Sequence, residues 1–300
     1  MSERVVVITG ASSGIGRAAA ITVAARGDRV AVVGRNPERT RAVAHEAGAE
    51  AFLADFDRLD EVRALAAQLL ERYERIDVLA GNAGGLVSER ELTADGHERT
   101  FQSNVLAPFL LTQLLLPRLE ATAARGDVMP GTVRVLATAS MANQWGRLRI
   151  DDLDWARRPY QGGWPAYGTA KLAVIMWVRE LAERLTGTGV DAFSVHPGTV
   201  GTSFGAGSGL IGFANALLGG RWGRSAASGA APLIQLTGTR PVGAPSGTYF
   251  SRFHPRGRTA PLAQNAQARR ELFDALLGLA GLTTPEGGGS ASGTSAPAAR

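Results

Sequence analysis

"VVVITGASSGIGRAAA", residues 5–20, decides the fold. A β-branched run leads into a glycine-rich turn, and the turn leads into small and apolar residues that suit a helix. Gly10, Gly14 and Gly16 are spaced T-G-x-x-x-G-x-G, which differs from the common G-x-G-x-x-G fingerprint. Glycine lets a backbone turn tightly and approach a ligand where a Cβ would clash. A helix that starts at such a loop aims free N–H groups and its positive dipole end at an anion. A glycine triplet alone also suits a simple tight turn. Directly after the first strand of an alternating chain, it predicts a cradle for a dinucleotide pyrophosphate, with Gly10, Ser12, Ser13, Gly14, Ile15 and Gly16 as contacts.

Outward from this stretch, the alternation continues. "RVAVVG", "AEAFLA", "IDVLAG", "TVRVLATAS", "VDAFSVHP" and "GTYFS" read as further strands, with amphipathic segments such as "DEVRALAAQLLERYER" between most of them. Regular β-α alternation predicts an α/β fold with a parallel sheet covered by helices on both faces. The runs are nearly all apolar, as strands buried on both sides require. Right-handed crossovers then give a doubly wound sheet. One domain is expected over residues 1–282, and no linker divides it. Residues 201–229 are rich in glycine and carry apolar residues without a strand period, which suggests a substrate lid. Residues 283–300, "TTPEGGGSASGTSAPAAR", have little to bury and are expected to form a disordered tail.

Composition narrows the chemistry. The 300 residues are 45% apolar and contain no cysteine, which excludes disulfides, thiolate metal sites and thiol nucleophiles. No His/Asp/Glu cluster has metal spacing, so no catalytic metal is expected. The net charge of +5 is carried by scattered arginines rather than a basic patch, which argues against nucleic acid as a partner. No apolar run reaches the ~18 residues of a spanning helix. The first strand begins near Arg4, so no signal peptide is expected and the location expected is cytoplasmic.

The second strand ends at Gly34, followed by Arg35. An acidic residue there would bind the ribose hydroxyls of NAD, whereas a guanidinium can grip the 2′-phosphate of NADP. Asp55, with Phe56 beside it, ends the third strand and either meets the adenine edge or caps the next helix. The sole lysine is Lys171, one helical turn after Tyr167 in "WPAYGTAKLA". No carboxylate stands beside the pair. Spacing alone also fits a surface lysine next to a half-buried tyrosine.

Six motifs settle the matter: "TGASSGIG", "GNAGG", "FQSNVLAPFLLT", "ATASMAN", "YGTAK" and "HPGTVGT". In this order the chain resembles the short-chain dehydrogenases/reductases, over about residues 4 to 280. "SGTYFSRFHP" and the long gap between Ser140 and Tyr167 resemble the retinol-dehydrogenase-like branch. The resemblance implies a Rossmann fold with seven strands in the order 3-2-1-4-5-6-7. It assigns Tyr167 as the catalytic acid or base, with Lys171 lowering its proton affinity and holding the nicotinamide ribose. Ser140 would polarise the carbonyl, and Asn104 would hold a water on the proton path. Asn82, Ala83 and Gly84 would line the cofactor, as would Pro197, Gly198, Val200 and Thr202. Gly81 departs from the family's usual asparagine, so some bracing of the fourth strand is expected to be lost. His196 is expected to be a packed strand-end residue. Trp145 and Phe204 join Ser140 and Tyr167 as substrate contacts in an apolar pocket.

The expected activity is therefore NADP(H)-dependent hydride transfer to or from a carbonyl or alcohol on a small molecule, in a chain for which a homodimer is compatible. A non-catalytic NADP-binding regulator or scaffold, and a reductase of an activated C=C bond, are the alternatives.

Overall fold

The computed structural model describes residues 3–198 and 225–282. Val200, Thr202, Phe204, most of the 201–229 segment and the 283–300 tail lie outside the described residues. In chain order the elements are β1 Val5–Ile8, α1 Gly14–Ala24, β2 Arg29–Gly34, α2 Pro37–Ala47, β3 Glu50–Leu53, α3 Leu59–Arg72 and β4 Val78–Gly81. Then come α4 Ala107–Ala123, β5 Val133–Thr138, α5 Trp164–Arg184, β6 Val190–His196, α6 Ala226–Leu236, β7 Tyr249–Ser251 and α7 Ala266–Leu279. All neighbouring strands pair in parallel, in the order β3-β2-β1-β4-β5-β6-β7. This is the doubly wound sheet that the sequence predicts.

The pleat explains the two layers. Side chains alternate across a strand, so Val5 and Val7 enter one core while Val6 and Ile8 enter the other. The first core is closed by α3, α4, α5 and α7, the second by α1, α2 and α6. Phe109 of α4 meets Trp177 of α5 and Phe273 of α7 edge-on, with centroids 5.9 and 4.9 Å away. Such edge-to-face pairs fix helix packing beyond simple burial.

The amino-terminal edge of the sheet is held by buried arginines. Arg134 of β5 donates to the Leu236 carbonyl at 2.6 Å and to the carbonyls of Gly131, Gly238 and Arg240. Burial lowers its proton affinity to about 10. It thereby satisfies the last carbonyl of α6, at Leu236, and two carbonyls of the chain just beyond it. The opposite, carboxyl edge is left for the site, as in other open parallel sheets.

Candidate active site

The glycine loop is shaped by close backbone approach. Gly10 and Gly14 have φ of +63° and +55°, values that side chains disfavour. A Cβ on Gly16 would fall 2.3 Å from the Gly10 carbonyl oxygen, and one on Gly10 would fall 2.8 Å from Ala83 Cα. The loop thus packs onto the end of β4. Thr9 Oγ1 accepts from the backbone N–H groups of Asn82 and Ala83, both at 3.0 Å. Asn82 Nδ2 donates to the Thr9 and Gly10 carbonyls at 3.2 and 3.4 Å. Sequence reasoning missed Thr9, although it heads the very spacing that was read. This clamp braces β4 where Gly81 has no side chain to do so; a Cβ on Gly81 would meet the Leu136 carbonyl at 3.3 Å.

Ser13 stands at the N-cap of α1 and its side chain makes no capping bond. The first N–H groups of α1 therefore face the loop, as an anion site requires. Gly34 is packed so tightly that a Cβ would fall 2.5 Å from Thr40 Oγ1 and 2.9 Å from Ser12 Cβ. Arg35, 60% exposed, faces two carboxylates, Asp55 at 3.6 Å and Asp57 at 3.4 Å. Asp55 does not cap α3. Its Oδ1 accepts from Asp57 N at 3.1 Å, and Asp95 from a later loop receives the Leu59 N–H at 2.9 Å. The Phe56 ring is buried in the core, which leaves only its backbone for a cofactor.

The catalytic candidates come together at the carboxyl edge of β5. Ser140 follows β5 and caps a short helical turn, Met141–Trp145, with Oγ accepting from Ala142 N at 3.2 Å. The Tyr167 hydroxyl is hydrogen-bonded to the Ser140 side chain. Small residues make this meeting possible. A Cβ on Gly168 would fall 2.9 Å from the Ala142 carbonyl, and one on Gly146 would fall 2.7 Å from the Gly168 carbonyl. The glycines let α5 seat directly on the turn that carries Ser140.

Lys171 is 3% exposed; its Nζ donates to the Thr138 carbonyl at 2.9 Å and lies 5.5 Å from the centre of the Tyr167 ring. Burial lowers its proton affinity from an ordinary 10.5 to about 7. Burial also pushes the Tyr167 phenol well above its usual value, with Ser140 acting the other way. Both groups are desolvated, and desolvation penalises whichever form is charged.

Asn104 sits in a π-helical stretch, Gln102–Leu106, which continues the short turn Arg99–Phe101 and leads into α4. Such bulges reorient one side chain out of the helical register. Nδ2 donates to the Gly85 carbonyl at 2.7 Å and to the Thr100 carbonyl at 2.8 Å. Oδ1 is buried without a protein partner. A Cβ on Gly84 would lie 2.4 Å from that oxygen and 3.5 Å from Lys171 Nζ. The oxygen and the amine thus face one small space.

Three comparisons bear on this arrangement. The short chain dehydrogenase family pattern matches residues 4–145 and 156–209. The chain is a short-chain dehydrogenase. Among curated short-chain dehydrogenases it is 44% identical over 256 residues to "Putative daunorubicin C-13 ketoreductase DnrU" of Streptomyces sp. (strain C5), covering 83% of each chain. It is 33% identical over 294 residues to human retinol dehydrogenase 13, covering 94% of this chain and 86% of that one. It stands in the retinol-dehydrogenase-like branch. Among solved structures, the Pseudomonas aeruginosa RhlG/NADP active-site complex superposes with a TM-score of 0.61 at 28% identity, over 83% of this chain and 93% of that one.

The remaining candidates are placed as follows. Pro197 and Gly198 follow β6, with Gly198 at φ +95° and lying against Arg252. His196 is buried at the end of β6, where burial and Arg252 lower its proton affinity to about 4. Trp145 is 68% exposed, at the end of the turn that Ser140 caps. Trp164 meets Tyr167 edge-on at 6.2 Å. Among the described residues, no three His, Cys, Asp or Glu side chains gather as a metal site, and no helix is long and apolar enough to cross a membrane.

Proposed function

We propose that this short-chain dehydrogenase is an NADP(H)-dependent carbonyl reductase or alcohol dehydrogenase for an apolar small molecule. The observation that carries the reading is the convergence of Ser140, Tyr167, Lys171 and Asn104 at one edge of the sheet. The glycine cradle, the free first turn of α1 and the unpartnered Asn104 oxygen fit a bound dinucleotide and a water. Gly10 to Gly16, Asn82 to Gly84, Lys171, and the Pro197 to Thr202 run would hold the cofactor. Arg35 beside a Gly34 with no room for a carboxylate supports NADP over NAD. When bound, the nicotinamide supplies or accepts the hydride.

The protein's part is proton handling and orientation. In reduction, the Tyr167 hydroxyl gives its proton to the substrate oxygen as negative charge develops there. The Ser140 hydroxyl donates to the same oxygen and polarises the carbonyl. Lys171 restores the proton. An amine that titrates near neutrality can take up a proton and release it, which suits a relay better than a fixed cation. A water on Asn104 Oδ1 would connect that amine to solvent. Oxidation runs the same steps backwards.

The printed names of its relatives, a ketoreductase and a retinol dehydrogenase, support carbonyl–alcohol interconversion. Exposed Met141, Trp145 and Trp164 beside Ser140 and Tyr167 support an apolar, flat substrate. We place the enzyme in the cytoplasm and read residues 1–282 as one domain. The test is NADPH oxidation with a panel of aryl ketones, aldehydes and quinones. Turnover with at least one of them, faster with NADPH than NADH, is expected. Tight NADPH binding without turnover on any of them would instead favour the non-catalytic alternative.

A further inference from the structure

The stretch between Ser140 and Tyr167 is long, and residues 146–155 fall outside the family match. The obvious role for such an insertion is a wall of the substrate pocket. Its contacts point elsewhere. Trp155 is buried; its Nε1 donates to the Pro159 carbonyl at 3.1 Å and the Arg158 guanidinium lies 3.5 Å over its ring. Asp152 receives Arg158 Nε at 2.7 Å and Ala156 N at 2.7 Å. The loop is locked on itself.

This locked loop grips the segment that runs from β4 to Asn104, and it does so at three points. Asp154 Oδ1 receives the Glu98 N–H at 3.0 Å and faces His97 Nδ1 at 3.2 Å. The Tyr160 hydroxyl donates to Glu98 Oε1 at 2.8 Å and meets Thr100 Oγ1 at 3.0 Å. Gly163 approaches Val87 so closely that a Cβ would fall 1.9 Å from its carbonyl oxygen.

The grip bears on Asn104 directly. Buried Glu98 caps the turn that leads into the π-helix, accepting from Thr100 N and Phe101 N, both at 2.7 Å. Thr100 supplies one of the two carbonyls that hold the Asn104 amide, and Gly85, two residues before Val87, supplies the other. Both anchors of the amide are therefore braced from the stretch between Ser140 and Tyr167. The Glu98 cap is fixed by Tyr160, whose hydroxyl keeps its proton because burial and the Glu98 charge raise its proton affinity.

We propose that Tyr160 is a positioning residue for the proton path: through Glu98 and Thr100 it sets the Asn104 carboxamide so that Oδ1 faces Lys171. The inference rests on the proposed catalytic reading of Asn104 and Lys171, and gives the stretch between Ser140 and Tyr167 a role in proton transfer. An unbraced turn would let the amide rotate, and the oxygen facing the amine would be replaced or moved.

Lys171 is the chain's sole lysine, so isotopically labelled lysine gives one side-chain set of resonances. The experiment follows that signal and its titration midpoint in the parent, Tyr160→Phe and Asn104→Ala. Tyr160→Phe is expected to shift both in the same direction as Asn104→Ala, and to add nothing further in the double variant. With NADPH and a turned-over ketone, Tyr160→Phe is expected to lower kcat by on the order of tenfold with KM unchanged. It should also raise the solvent deuterium isotope effect on kcat. A lysine signal and midpoint identical to the parent in folded Tyr160→Phe, with Asn104→Ala shifted, would overturn the proposal. So would a kcat loss that multiplies independently with that of Asn104→Ala. If Tyr160→Phe does not fold, Thr100→Val, which removes one hydroxyl partner of Tyr160, is measured in the same way and judged by the same two results. The resonance arm reads the brace without turnover, so failure of the catalytic reading and failure of the brace are separable.

Discussion

Gly84 and Asn104 leave no room between them: a methyl group on Gly84 would fall 2.4 Å from Asn104 Oδ1. Gly84 also holds φ at +145°, a conformation that side chains rarely adopt. Gly84→Ala is therefore expected to cost about 1–3 kcal/mol of stability through backbone strain. It should also push the carboxamide off the lysine, with turnover falling on the order of a hundredfold, as small misplacements in active sites do. Denaturation curves and NADPH-dependent turnover check both parts. Parent-like turnover in the variant would show that the oxygen's position does not matter.

Cofactor choice depends on the end of β2. Arg35→Asp is expected to weaken NADPH binding by roughly 1–3 kcal/mol, the worth of a charge-assisted contact. The usual route to NAD, a carboxylate at the end of β2, is closed here. Gly34→Asp would drive its Cβ into Thr40 and Ser12 and should lose affinity for both cofactors. Fluorescence titration with NADPH and NADH measures each. Equal affinity of the parent for the two cofactors would contradict the assignment of Arg35.

Lys171 makes stability depend on pH in a defined window. Its folded value, about 7, lies below its ordinary 10.5, so between these values the unfolded chain binds more protons. Stability attributable to this group therefore rises with pH from about 7 to its ordinary value, and the full cost of burying the ammonium is felt below about 7. Lys171→Met removes that cost. The variant is expected to be more stable than the parent by about 1–4 kcal/mol at pH below 7, the range seen when buried charges give way to apolar groups. The gain should shrink as the pH rises through the window. Thermal melts of both proteins across pH read the difference directly. A gain independent of pH would mean that the amine is not desolvated.

The fold was legible because its signals are local. A strand, a glycine turn and a helix follow one another within "VVVITGASSGIGRAAA", and the β-α alternation repeats along the chain. Ser140, Tyr167, Lys171 and Asn104 were legible through motifs. What was not legible are the pairings between distant polar groups. Nothing near Arg35 announces that Asp55 and Asp57 face it, and nothing near Leu59 announces that Asp95 receives its N–H. Tyr160 and Glu98 are 62 residues apart and belong to loops without periodicity. The desolvation of Tyr167 and Lys171 was not legible for a related reason. Spacing reports which groups share a helix face, while proton affinity depends on how much water the rest of the fold removes.

The Tyr167 hydroxyl is expected to supply the proton that accompanies hydride transfer. The most direct test is single-turnover NADPH oxidation by Tyr167→Phe, with a ketone that the parent reduces. The ring and its packing are retained, so the variant is expected to fold and to bind NADPH about as tightly as the parent. The rate should fall by about a hundredfold to ten-thousandfold, the contribution of a positioned general acid. A rate near that of the parent, with NADPH bound as tightly, would contradict the account.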